Sequence, residues 1–240
     1  MQNIAQQWRV EAVLLDMDGT LLDTERVYVE SLTAVLTGLG YPDVEAVCNA
    51  MVGRPGPECQ RLLIAHYGDG LPLARINAGF SEKCHALLQN GLPLKRGVNE
   101  LLDALADAGW PVAVVTSSTQ KTADQHLTLG GIRGRFERII TRDEVVHSKP
   151  APDLYLLAAR QLGIAPGACV AVEDSGVGIA AAFAAGTIPL MVPDLLQPSD
   201  ETRAQCAAVL PDLIAVRTLL IERAGLGGPT TVATTRSAPS

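Results

Sequence analysis

No stretch of the 240-residue sequence reaches the run of about 18 apolar residues that a membrane span requires. The first residues, Met1 to Val10, are polar and lack the basic-then-apolar order of a secretory signal. Lysine is scarce, occurring only at Lys83, Lys95, Lys121 and Lys149. Acidic side chains outnumber basic ones by 26 to 19, for a formal charge of −7. That balance argues against a nucleic-acid binder, which works by neutralising phosphates. The cysteines, Cys48, Cys59, Cys84, Cys169 and Cys206, are odd in number, form no C-x-x-C pair and match no zinc spacing. They read as unpaired structural thiols of a reducing compartment. No internal repeat is visible. A cytoplasmic protein with no membrane or nucleic-acid partner is expected, and nothing demands more than a monomer.

What is present is apolar surface to bury. Hydrophobic residues make up 48% and charged residues 19%, which excludes a solvated, disordered chain. Four short apolar runs, Ala12–Leu15, Val112–Val115, Ala168–Val172 and Ile188–Val192, read as strands buried on both faces, as parallel sheets require. Helical stretches lie between them at Asn99–Ala108, Gln120–Leu129, Pro152–Leu162 and Val177–Ala185. Gly109, Gly163 and Gly186 close three of these in the manner of C-terminal glycines. The alternation predicts an α/β fold with a doubly wound, Rossmann-like parallel sheet. Between the first two strands about 70 residues intervene, with Tyr28, Leu32, Val35, Leu36 and Leu39 at helical spacing, then Leu73, Ile76, Phe80, Cys84, Leu87 and Leu88. Residues 24–92 therefore read as an inserted helical module on a core formed by 1–23 and 93–223. The small, polar residues of 224–240 read as a disordered tail.

Polar residues gather where these strands end, and that is where open α/β sheets place their ligands. Asp16 and Asp18 follow the first strand in Asp16-Met17-Asp18-Gly19-Thr20. On extended chain, residues i and i+2 point the same way, so two carboxylates would share one side and repel. A hard cation such as Mg²⁺ would resolve the repulsion. An ordinary Asp-x-Asp-Gly surface turn is the structural alternative. Thr116, Ser117 and Ser118 supply hydroxyls and N–H groups before a helix, suited to an anion or simply to capping by Ser117 or Ser118. Lys149 precedes a helix opened by Pro152 and can hold a phosphate oxygen, or be a solvated loop lysine. Glu173 and Asp174 end a buried strand and complete a metal site, or cap the next helix.

These four segments, in this order, resemble the motifs of the haloacid dehalogenase superfamily, in its β-phosphoglucomutase-like and phosphoglycolate phosphatase-like branch. The resemblance runs from about Glu11 to Asp212 and makes the helical insert similar to that family's cap. It implies Asp16 as nucleophile, Asp18 as acid–base partner, and Thr116 and Lys149 as stabilisers of the phosphoryl oxygens, with Ser117 alongside. It implies Mg²⁺ held by Asp16, Asp18 through its carbonyl, Asp174 and Glu173. Arg54, after Gly53, is a candidate to reach substrate from the cap, with Glu25 and His66 as further candidates. The implied activity is a Mg²⁺-dependent phosphatase for a small phosphorylated metabolite, a sugar phosphate or nucleoside monophosphate, through an aspartyl-phosphate.

Two alternatives stand beside it. Sugar phosphomutases of the family carry a histidine twelve residues after the nucleophile, where this chain has Tyr28, and continue Gly-Val where it has Gly19-Thr20. Both departures favour the phosphatase. Phospho-Asp receiver modules share the acidic, hydroxyl and lysine set, but are about half as long and lack an insert after the first strand. The stretch Leu94-Lys95-Arg96-Gly97-Val98 departs from the family's usual Pro-Gly-Val, which leaves open how the cap hinge is built.

Overall fold

The computed structural model describes residues 7–51, 56–89 and 91–226. The tail from 227 onward lies outside the described residues. Strand β1 (Ala12–Leu15) is followed by helices α1 (Thr24–Gly38), α2 (Val44–Met51), α3 (Gly56–Tyr67) and α4 (Leu73–Leu88). The chain continues through α5 (Val98–Asp107), β2 (Val112–Val115), α6 (Gln120–Leu129), β3 (Arg138–Ile140), α7 (Asp153–Leu162) and β4 (Cys169–Glu173). It ends with α8 (Gly176–Ala184), β5 (Ile188–Met191), α9 (Asp200–Gln205), β6 (Ala208–Val209) and α10 (Leu213–Ala224). All strands are parallel, in the order β3-β2-β1-β4-β5-β6. This is the doubly wound α/β sheet that the alternating apolar runs predict. Winding reverses between β1 and β4, so a crevice opens beyond their carboxyl ends.

Each face of the sheet buries its own core. Along β1, Ala12 and Leu14 face Leu154, Tyr155 and Ala158 of α7 and Ala181 of α8. Val13 and Leu15 face the other way, toward Leu101, Leu102 and Leu105 of α5 and Val216 and Leu220 of α10. Burial on both faces is why β1 and β2 carry no polar position, while β4 meets one only at its last residue, Glu173. Glycines at positive φ, Gly109, Gly163 and Gly186, follow α5, α7 and α8 as expected. Strands β3 and β6 are too short, at three and two residues, to show a hydrophobic pattern in sequence. Cys48, Cys84, Cys169 and Cys206 are free thiols. Among the described residues, no helix is long and apolar enough to cross a membrane.

Helices α1–α4, which precede α5, bury a separate core that includes Val35, Leu36, Val47, Leu63 and Ile76. Two chain segments join them to the sheet, and these pair as a short antiparallel ribbon. Leu22 bridges Leu94, Asp23 N–H donates to Pro93 O at 2.9 Å, and Lys95 N–H donates to Leu21 O at 3.0 Å. Lys95 Nζ adds ion pairs to Asp194 at 2.5 Å and Asp23 at 3.6 Å. The departure at Lys95-Arg96-Gly97 is resolved here. Arg96 points outward, 3.4 Å from Asp212, and the hinge charge is carried by Lys95. Gly97 takes φ +91°, and a Cβ there would stand 2.5 Å from Ile214 N, so α10 can approach only glycine.

Candidate active site

Strand register brings the candidate residues to one level. Leu15 pairs with Val114 and Val172, so Asp16 comes level with Val115 and Glu173. Asp16 N–H donates to Val172 O at 3.0 Å, which fixes the backbone at the start of the crevice. Thr116 follows β2 with its own N–H on Ile140 O at 2.9 Å. Lys149 enters from the loop before α7 and is almost fully buried, with 6% of its side chain exposed. Its Nζ donates to Asp16 Oδ1 at 2.5 Å, Val115 O at 2.9 Å and Glu173 Oε1 at 2.6 Å. All three ammonium protons are thereby satisfied.

Asp16, Glu173 and Asp174 each offer a carboxylate oxygen within 4.8 Å of the others. Three carboxylates against one ammonium leave two buried negative charges. Burial and the charge of Glu173 push the Asp16 carboxyl up to about 7, against the pull of Lys149. Burial, then Asp16 and Glu173, push Asp174 well above the usual carboxylate range. Burial opposes the charge on Lys149, but Asp16 and Glu173 outweigh it and hold the ammonium protonated. Glycine makes room for this crowding. A Cβ on Gly19, at φ +85°, would lie 2.3 Å from Asp174 Oδ2, and one on Gly178 would lie 1.9 Å from Glu173 Oε2.

Asp18 does not join that cluster. Its charge nevertheless acts on Asp16 and adds to the rise of that carboxyl. Beyond Met17 the chain turns, with Leu21 N–H and Leu22 N–H both donating to Met17 O. The Asp18 carboxylate is held by Ser118, whose hydroxyl donates to Oδ2 at 2.8 Å, and faces His126, whose Nδ1 lies 3.2 Å from Oδ1. The capping alternatives are also corrected. Thr119 caps α6, accepting from Thr122 N–H, and Ser175 caps α8, accepting from Gly178 N–H. Ser117, Ser118 and the Glu173-Asp174 pair are thus released from that duty.

The other candidates fall in different places. Thr116 is buried, and its Oγ1 accepts from Ser118 N–H at 3.0 Å. Ser117 accepts from Ser148 Oγ at 2.9 Å. Glu25 lines a cavity among α1–α4, and His66 packs edge-on against Tyr67 at 4.6 Å. Arg54 and Gly53 lie outside the described residues.

Sequence reasoning missed Tyr155 and His126. The Tyr155 hydroxyl donates to Glu173 Oε1, and its ring lies 5.4 Å below the Lys149 ammonium. Burial and the charge of Glu173 raise its pKa, so it remains a donor. Tyr155 sits in the apolar stripe of α7 and reads as core. His126 had a signal. It shares the buried stripe of α6 with Ala123 and Leu127, where a polar side chain needs a partner. In the Nδ1–H tautomer it donates to Asp18 and fixes that carboxylate. His126→Leu is expected to lower kcat by about tenfold or more with KM little changed. His126→Asn, which keeps a donor at the Nδ1 position, should recover most of the loss. Equal losses in both variants would show that the Asp18 contact is not the cause.

A family model described as haloacid dehalogenase-like hydrolase matches residues 10–186. The chain is 31% identical over 219 residues to the plasmid-borne protein CbbY of Cupriavidus necator, covering 85% of this chain and 86% of that one. It is 35% identical over 185 residues to the fructose-1-phosphate phosphatase YqaB of Escherichia coli, covering 74% and 94%. Among solved structures, a HAD family hydrolase from Deinococcus radiodurans with bound phosphate and sodium superposes with a TM-score of 0.79. It shares 30% identity and covers 91% of this chain and 97% of its own.

Proposed function

From the premise that this chain belongs to the haloacid dehalogenase-like hydrolase family, we propose that it is a Mg²⁺-dependent phosphatase of small phosphorylated metabolites, acting through an aspartyl-phosphate at Asp16. The observation that carries this reading is the buried set Asp16, Lys149, Glu173 and Asp174 at the switch point of the sheet. Asp16 is the nucleophile. Its carboxylate oxygen forms a bond to phosphorus as the bond to the leaving oxygen breaks. Asp18, set by Ser118 and His126, gives its proton to that oxygen, then takes one from the water that hydrolyses the acyl phosphate. Lys149 holds a phosphoryl oxygen by exchanging one of its three present partners, and Thr116 and Ser117 offer further donors. Residues 24–92 act as a cap that covers the site and excludes water.

The donor set fits a divalent cation. Hard carboxylate oxygens suit Mg²⁺, two uncompensated charges call for it, and the Gly19 cradle leaves Asp174 room. Asp16 and Asp174, with the Asp18 carbonyl, would hold the ion, and Glu173 is engaged by Lys149 and Tyr155. When bound, Mg²⁺ would supply charge that offsets the phosphate and favours the ionised form of Asp16.

Phosphate release from phosphomonoesters should require Mg²⁺, stop on chelation and return on re-addition. A normal rate in EDTA would remove the metal from the reading. Stability offers a second check. In the metal-free fold Asp16 keeps its proton up to about pH 7, whereas the unfolded chain releases it at the ordinary carboxyl pKa of 3.8. Stability therefore declines as pH rises between those values. Mg²⁺ replaces the proton, so its effect on Tm should be small at pH 5. At pH 8 and a hundredfold excess over Kd the rise should be about 5–10 °C. An equal rise at both pH values would contradict the assignment.

A further inference from the structure

We propose that Tyr155 is a positioning residue for phosphoryl transfer: it makes Glu173 the fixed partner of Lys149, so that Asp16 is the partner the ammonium exchanges for a phosphoryl oxygen. This rests on the phosphatase reading of the carboxylate site. Lys149 Nζ has three acceptors, Asp16 Oδ1, Val115 O and Glu173 Oε1. A phosphate that takes one of the three ammonium protons must displace one of them. The three are not held equally.

Val115 O belongs to the main chain of β2 and does not turn away. The Glu173 carboxylate is confined at both oxygens. Oε1 accepts from the Tyr155 hydroxyl as well as from Lys149. Oε2 faces Ser175 Oγ at 3.5 Å and lies against α8 at Gly178. The main chain of Glu173 is fixed too, since its carbonyl accepts from Val192 N–H at 2.8 Å. Tyr155 itself has little freedom. It is fully buried, and its ring belongs to the core that holds Leu14, Val115 and Ala171. The same side chain thus holds the carboxylate through its hydroxyl and carries the Lys149 ammonium over its ring, 5.4 Å from the centre.

Asp16 is held less firmly. Its carboxylate receives Lys149 and, among the described residues, no second donor. The reaction also changes its charge. An electron pair of the Asp16 carboxylate forms the bond to phosphorus, the pair of the breaking P–O bond leaves with the departing oxygen, and that oxygen takes the Asp18 proton. Asp16 thereby gives up its own negative charge and most of its pull on the ammonium. Lys149 transfers no proton. It turns one N–H from Asp16 to a phosphoryl oxygen, while Glu173 stays beside it as counter-charge. The new contact is gained as the bond to phosphorus forms, so it favours the transition state over bound substrate. Without the Tyr155 hydroxyl, Glu173 Oε1 is left to Lys149 and competes with the phosphoryl group for its protons.

Tyr155→Phe keeps the packed ring and removes only the hydroxyl. Parent and variant are compared on acetyl phosphate with Mg²⁺, with two competing inhibitors. Orthovanadate copies the five-coordinate phosphorus of the transition state, and inorganic phosphate does not. Inhibition constants do not depend on the fraction of protein that is folded, so a merely structural loss leaves both unmoved. The variant should lose kcat by about 10- to 100-fold, the usual cost of losing a group that orients a site's own ligands. Vanadate should bind more weakly by a similar factor, with KM and the phosphate constant within about twofold of the parent. Unchanged vanadate inhibition would overturn the role, and so would vanadate and phosphate weakened alike. If the parent hydrolyses acetyl phosphate and Tyr155→Phe matches it, the positioning role alone fails. If the parent is inert, the phosphatase reading fails with it.

Discussion

Asp16→Asn should lose phosphatase turnover by about 10⁴-fold or more while folding as well as the parent. Asparagine has the shape of aspartate, so the packing at the end of β1 is kept, but its amide does not form an acyl phosphate. The stability outcome separates this site from an ordinary buried ion pair. Asp16 is one of three carboxylates facing one ammonium, and burial already pushes its pKa to about 7. Removing its charge leaves Lys149 paired with Glu173 at 2.6 Å and lessens the repulsion felt by Asp174. In the absence of metal, Tm at pH 8 should equal or exceed that of the parent, and the gain produced by Mg²⁺ should shrink. Measured together, steady-state rates and thermal melts give opposite signs for function and stability. Turnover within tenfold of the parent would sink the nucleophile assignment.

Lys149→Met should have the opposite profile, losing both. The ammonium is buried with both of its carboxylate partners, and methionine matches its length without its charge. Removing one partner of a buried pair strands the other, at a cost of about 3–5 kcal/mol. For a chain of this length that is a fall in Tm of roughly 6–20 °C. Turnover should drop by about 10²–10³, as for loss of one transition-state donor. Two further measurements identify the cause. Lowering the pH should recover part of the stability, because protonating Asp16 or Asp174 removes the stranded charge. Adding Glu173→Gln to Lys149→Met should recover stability without recovering turnover. A Lys149→Met protein as stable as the parent at pH 8 would mean that the ammonium does not hold these carboxylates together.

Much of this arrangement was legible before any coordinates. Strands β1 and β2 begin and end where their apolar runs do, because a strand buried on both faces tolerates nothing else and stops at the first polar residue. The chemistry-bearing residues follow at once, so Asp16, Thr116 and Glu173-Asp174 are marked by the end of each run. Lys149 had no such marker. Its loop position is equally that of a solvated lysine, and only its three donor contacts in the crevice decide the matter.

The one-dimensional pattern determined the fold class and the identity of the charged groups, since periodicity and strand ends are local properties of the chain. Pairing across distance was decided by packing. Asp18 lies 108 residues from His126 and 100 from Ser118, and no spacing rule joins them. Tyr155 looks like any core residue until α7 is laid against the sheet and its hydroxyl meets Glu173. Which carboxylates gather, and which one is held by its own partners, depends on the level at which separate strands end. Charges interact through space, and the sheet, not the order of residues, sets those separations.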